Sequence, residues 1–103
     1  MAKLISIYWR DIPAQVVGRS GRDTFKKELP PRFAKAIDRA AMRAGRGSSD
    51  AYLADWRRET VQVSGDLEQL VADRAAELEA RFDDEYLEAV VKAGGLIENV
   101  GAR

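Results

Sequence analysis

Leu4-Ile5-Ser6-Ile7-Tyr8-Trp9, running straight into Arg10-Asp11-Ile12-Pro13, is the stretch that decides the fold. Six residues rich in β-branched and aromatic side chains are too few for a helix and far too few for a membrane span or a secretory leader. The run predicts a central strand, closed by the turn-forming residues after Trp9. Downstream, Ala14-Gln15-Val16-Val17 is either a second strand pairing back on the first or a single helical turn, with Gly18-Arg19-Ser20-Gly21 as the turn that ends it. Residues 22–29 follow neither period.

Pro30-Pro31 marks the next boundary, because proline suits a first helical turn, where its missing N–H would go unpaired anyway. Phe33, Ile37, Ala40 and Ala44 then recur at helical spacing up to Gly45, predicting a helix over 31–44. Ser49 or Asp50 is expected to cap a short turn carrying Tyr52, Leu53 and Trp56. The alternation in Glu59-Thr60-Val61-Gln62-Val63 predicts a strand at 57–63. Asp66 and Gln69 resemble a capping box ahead of a helix over 66–81, and Asp83 or Asp84 opens a further helix that Gly94-Gly95 closes. The expectation is a single α+β domain: a small, mainly antiparallel sheet from strands near 4–9, 14–18 and 57–63, covered by two to three helices. Within it, residues 1–64 form a ββαβ core and 65–103 an acidic C-terminal helical part, the tail from Leu96 being a short extension or frayed.

With 103 residues there is room for one domain, and 46% apolar residues suffice for a modest core. The chain has no Cys and no His, which removes disulfides, thiolate chemistry, the commonest general base and the commonest metal ligand. No phosphate loop, dinucleotide glycine pattern or nucleophile elbow is present. An enzyme is not expected, nor a cofactor or a metal site, and a cytoplasmic protein is. The 17 basic and 17 acidic residues cancel, yet the halves do not. Residues 1–48 hold eleven Lys/Arg against four acids, while 49–103 hold six against thirteen. Either the two halves pack together, or the basic half faces an anionic partner.

Arg32, Lys35, Arg39 and Arg43 fall on one face of helix 31–44, opposite the Phe33–Ile37 stripe, and form a basic ridge. Arg10, Arg19, Arg22, Lys26 and Lys27 are candidates to extend it toward an anion or an acidic protein. The Gly18-Arg19-Ser20-Gly21 string resembles the Gly-x-x-Gly loop of KH RNA-binding domains, where glycines admit a phosphate backbone and Arg19 and Arg22 would supply countercharge. Pro30-Pro31 leads into a helix where such a module would need strands, so an ordinary turn is the simpler reading. Tyr8-Trp9-Arg10-Asp11 would suit stacking on a flat ligand, but alternation sends at least one of the two rings into the core. Asp83-Asp84-Glu85 and Glu88 sit where a helix dipole favours carboxylates without a metal.

Ile7-Tyr8-Trp9-Arg10-Asp11-Ile12-Pro13-Ala14-Gln15-Val16, Glu28-Leu29-Pro30, Arg32-Phe33, Ala36-Ile37-Asp38-Arg39-Ala40-Ala41-Met42 and Tyr52-Leu53-Ala54-Asp55-Trp56-Arg57-Arg58 together resemble the small bacterial "virulence factor" domain family, seen also within conserved virulence factor C type proteins. The resemblance covers residues 3–63. It implies no catalytic residue, and it implies an accessory place beside tetrahydrofolate- and corrinoid-dependent methyl-transfer proteins. The expected role is a non-catalytic protein-binding subunit, either docking a larger protein or self-associating, with no membrane involvement. The apolar positions Leu67, Leu70, Val71, Leu78, Leu87, Val90 and Val91 are expected to exceed what the sheet covers and so to drive association. The alternative is an RNA- or nucleotide-binding module built on the ridge and the Gly18–Gly21 loop.

Overall fold

The computed structural model describes residues 2–100. The elements run β1 (Ala2–Trp9), β2 (Ile12–Ser20), β3 (Asp23–Glu28), α1 (Pro31–Arg43), α2 (Ser49–Ala54), β4 (Trp56–Val63), α3 (Leu67–Arg81), α4 (Asp84–Lys92) and a 3₁₀ turn at Ile97–Asn99. The chain forms one α+β unit around a four-stranded antiparallel sheet of order β3-β2-β1-β4. β1 is central, as its near-continuous apolar run predicts, because a strand flanked on both sides has little backbone left for water. The tail continues as the short 3₁₀ turn, and residues 101–103 lie outside the described residues.

Two local readings are corrected. Gly18-Arg19-Ser20 is strand, not turn: β2 begins at Ile12, runs to Ser20 and turns only at Gly21-Arg22, with Gly21 at φ 57°. The ambiguous stretch 22–29 supplies an unforeseen edge strand, β3, paired with β2 from Gln15↔Glu28 to Ser20↔Asp23. The reason for Gly18 lies across the sheet. A Cβ there would come within 2.6 Å of Val71 Cγ2 and 2.8 Å of Leu67 Cδ1, so the glycine lets α3 lie close against β2.

Pairing register separates the two faces of the sheet. Leu4, Ser6 and Tyr8 share one face with Val16, Gly18 and Phe25, and α3 covers it through Leu67, Val71, Ala75 and Leu78. Arg74 of α3 reaches down to donate to Ser6 Oγ (3.3 Å) and Tyr8 Oη (3.2 Å), satisfying the polar groups of that face. The opposite face presents Lys3, Ile5 and Ile7 from β1, Gln15, Val17 and Arg19 from β2, Thr24, Lys26 and Glu28 from β3, and Arg58, Thr60 and Gln62 from β4. Ile5 and Val17 are buried there but stand apart from the main core.

Helix boundaries follow the caps. α1 starts after Pro30, and its chain reverses at Gly45 (φ 71°). Asp66 accepts from Gln69 N at the start of α3, and Asp83 accepts from Tyr86 N (2.8 Å) at the start of α4. At the end of α4, Gly95 N returns to Val90 O (2.8 Å), a Schellman closure that needs the positive φ of Gly94 (71°). The cap of α2 is Ser48, one residue before the expected Ser49 or Asp50, and its side chain makes no capping bond. The C-terminal helices do not leave the expected apolar surplus. Leu67, Val71, Leu78, Leu87, Val90 and Val91 are all buried within the chain, Leu70 is half-buried, and α4 packs on α1.

Candidate binding surfaces

The Tyr8-Trp9-Arg10-Asp11 string, a candidate stacking site, is a structural clamp. Trp9 is fully buried, stacks on Tyr52 with ring centres 5.9 Å apart, and donates through Nε1 to Tyr52 O at 2.9 Å. Arg10 takes the left-handed conformation (φ 53°), held because its N–H donates to Asp55 O, its Nε to Asp55 Oδ2 (3.1 Å) and its Nη1 to Gly94 O (2.9 Å). Arg46 adds a second donor to Asp55 at 2.9 Å. Burial works against charge on Asp55, but the hydrogen bonds and positive charges of Arg46 and Arg10 outweigh it and lower its pKa. Asp11 accepts from Ile97 N (2.7 Å) and from Arg57 (3.0 Å), and Arg57 lies 4.4 Å over the Tyr8 ring. This one turn therefore ties β1, β2, α2, β4 and the C-terminal segment together.

The basic ridge of α1 is turned toward the acidic C-terminal helices. Arg32 donates to Phe82 O (2.5 Å) and Glu79 O (3.0 Å), closing the end of α3 where bare carbonyls favour a cation. Arg39 forms a two-pronged pair with Glu88 at 2.8 and 2.7 Å. The hydrogen bond and charge of Arg39 lower the Glu88 pKa, and Glu88 in turn raises that of Arg39. Arg43 donates to Lys92 O (3.2 Å) at the end of α4. Of the four, only Lys35 makes neither an ion pair nor a side-chain hydrogen bond among the described residues. The ridge expected to face a partner is largely the seam between the two halves.

The open sheet face shows the contrary pattern. Lys3, Arg19, Lys26 and Arg58 are exposed on it and form no ion pair among the described residues. Lys3 stands directly opposite Arg19 in the β1–β2 register, a like-charge pairing with no carboxylate to relieve it. Sequence reasoning included Lys26 only as an extension of the ridge, took Arg19 as such an extension or as the countercharge of the Gly18–Gly21 loop, and missed Lys3 and Arg58, since the face exists only once four separated segments are in register. Arg22 sits exposed in the β2–β3 turn, and Lys27 points to the opposite face of the sheet. The phosphate-clamping loop of the alternative reading is not formed, because Gly18 is in strand and buried under α3.

At one end of the open face a hollow of about 300 Å³ lies between β2–β3 and α1–α2, lined by Gln15, Lys26, Glu28, Ile37, Tyr52 and Trp56 among others. Gln15 Oε1 in its wall is buried without a hydrogen-bond partner among the described residues. Burial, with the charge of Asp38 beside it, raises the Tyr52 pKa. Among the described residues no group of three or more His, Cys, Asp or Glu side chains is placed to hold a metal, and no helix is long and apolar enough to cross a membrane. Asp83 caps α4, while Asp84 and Glu88 pair with Arg32 and Arg39.

These features define a small α+β domain with one helix-covered and one open sheet face. The family model described as "Virulence factor" matches residues 7–91, and the chain belongs to that family. The match runs well past the expected limit near residue 63, through α3 and nearly to the end of α4, so the acidic helices are part of the family's domain and not an addition to it. No curated protein and no solved structure matches the chain.

Proposed function

We propose that the chain is a non-catalytic protein-binding domain, the accessory subunit of a larger assembly. The observation that carries this reading is the open sheet face, where four cations without ion pairs surround aliphatic side chains, while the ridge arginines are tied to the acidic helices. Long-range attraction from such a face steers an anionic partner, and short-range apolar contact retains it. The non-catalytic part is supported by the perturbed groups: Asp55, Arg57, Arg39 and Glu88 hold elements together, and Tyr52, stacked on Trp9, is pushed up, away from use as an acid or base near neutral pH. A place beside tetrahydrofolate- and corrinoid-dependent methyl-transfer proteins is the finer form of this reading. Affinity purification of the tagged chain from its native cell, followed by cross-linking mass spectrometry, tests both forms. A stoichiometric protein partner is expected, with cross-links to Lys3 or Lys26. Recovery of RNA in place of protein, or a strictly monomeric chain with no partner, would overturn the reading.

A further inference from the structure

We infer that the open face of the sheet is the docking site for an acidic amphipathic helix of a partner protein. The inference rests on the protein-binding reading above and names the partner's chemistry. Width is the first argument. Lys26 on β3 and Arg58 on β4 stand on the two edge strands, which lie about 14 Å apart at the usual interstrand spacing, and they are offset along the face, Lys26 sharing its row with Thr60 and Arg58 sharing its row with Glu28. Between them β1 and β2 carry the half-buried Ile7 beside Ile5 and Val17, both already buried at 7% exposure. A helix about 10–12 Å across fits between those borders, its apolar stripe over the two central strands and its carboxylates against the cations on either side. An added strand would instead pair along an edge and leave the face empty.

Charge is the second argument. Lys3 and Arg19 oppose each other across the β1–β2 ladder without an ion pair among the described residues, so a carboxylate placed above them relieves their repulsion. The hollow beside Trp56 and Ile37 supplies an end stop, and Gln15 Oε1 in its wall lacks a donor among the described residues. A nucleic acid fits less well. Its bases need a run of exposed rings to stack on, whereas the cross-strand centre of this face is aliphatic, Trp9 is fully buried, and the rings at its end, Tyr52 and Trp56, are half-buried in the hollow.

The test uses the full chain, isotopically labelled, and a synthetic helical peptide with a leucine stripe flanked by glutamates. Amide shifts should map to the outward residues of β1, β2 and β4 and to the Trp56 indole, and binding should weaken about tenfold or more with added salt as screening sets in. The pair Lys26→Glu/Arg58→Glu should abolish that binding, while Arg39→Glu on the ridge should leave it unchanged. Should the reversed pair melt early, Lys26→Ser/Arg58→Ser replaces it and should weaken binding in the same direction. Shifts confined to α1 and α4, full binding by the folded double variant, or no binding by the wild type would each overturn the inference. Tighter binding of a single-stranded oligouridine than of the peptide would overturn it as well. If it fails this way while a native partner still co-purifies and cross-links elsewhere, the protein-binding reading stands without it.

Discussion

Two cationic surfaces of this chain differ in what surrounds them. On α1, Arg32, Arg39 and Arg43 meet carbonyls and two carboxylates of α3 and α4, so these side chains are tied to the fold while Arg39 and Arg43 stay exposed. On the open sheet face, Lys3, Arg19, Lys26 and Arg58 share the surface with one carboxylate, Glu28 of β3, and form no ion pair among the described residues. The +7 and −7 of the two halves therefore split into a structural part and a free part. A periodic ridge of arginines is weak grounds for a docking site when the same chain supplies a complementary acidic helix. Substitutions on the first surface should move stability, and substitutions on the second should move binding.

The largest expected effect bears on what Gly18 is for. Gly18→Val would drive a side chain into Val71 and Leu67, and overpacking of this kind costs about 3 kcal/mol at the upper end of its usual range. Urea unfolding should show the loss in full. A stable Gly18→Val protein would mean that α3 does not rest on β2 as described.

Next comes the clamp that both surfaces lean on. Asp55→Asn leaves Arg10 and Arg46 without their carboxylate and should cost about 1–3 kcal/mol near neutral pH. Because folding lowers the Asp55 pKa below its ordinary 3.8, its contribution is complete above that value and is lost as pH falls through the lower folded one. The wild type should therefore converge on the variant as acid is added. Thermal melts from neutral pH downward check this, and a gap that stays constant into strong acid would remove Asp55 from the linkage.

How much of this was legible from sequence depended on whether the signal was local. β1, α1 and the caps at Asp66 and Asp83 follow from period and cap chemistry within a few residues, and they form where expected. β3 was not legible: Asp23-Thr24-Phe25-Lys26-Lys27-Glu28 has one half-buried apolar residue and becomes a strand only by pairing with β2. Gly18 misled because glycine punctuates turns locally, whereas here its absent side chain answers a helix some fifty residues further on. The string around Trp9 was recognisable as distinctive, but its partners Asp55, Gly94 and Ile97 are brought to it only by the fold. The open face was invisible for the same reason, being a product of register.

Within the ridge, the effects should be graded by what each arginine touches. Arg32→Ala removes two hydrogen bonds from the frayed end of α3 and should cost about 1 kcal/mol. Arg39→Ala loses only an exposed pair with Glu88, and its thermal midpoint should barely move and merge with that of the wild type at high salt. The reverse order, with Arg39→Ala the more damaging, would show that the seam is held by charge and not by capping.

The smallest effect carries the opposite sign and separates the two surfaces most sharply. Lys3 lies across from Arg19 on one side and Gln62 on the other, and it forms no ion pair among the described residues. Replacing it by glutamate converts a cross-strand repulsion into an attraction, a change on the order of 0.5 kcal/mol in favour of the fold. Lys3→Glu should therefore raise the urea midpoint slightly, with the gain shrinking as salt screens the pair. The same substitution should weaken capture of an acidic helix, because it removes one of the cations that receive it. A variant that folds better and binds worse fits a face whose charges are arranged for a partner at some expense to the domain's own stability. If Lys3→Glu lowers the midpoint, its ammonium already has a partner within the chain, and the open face is a solvated surface like any other.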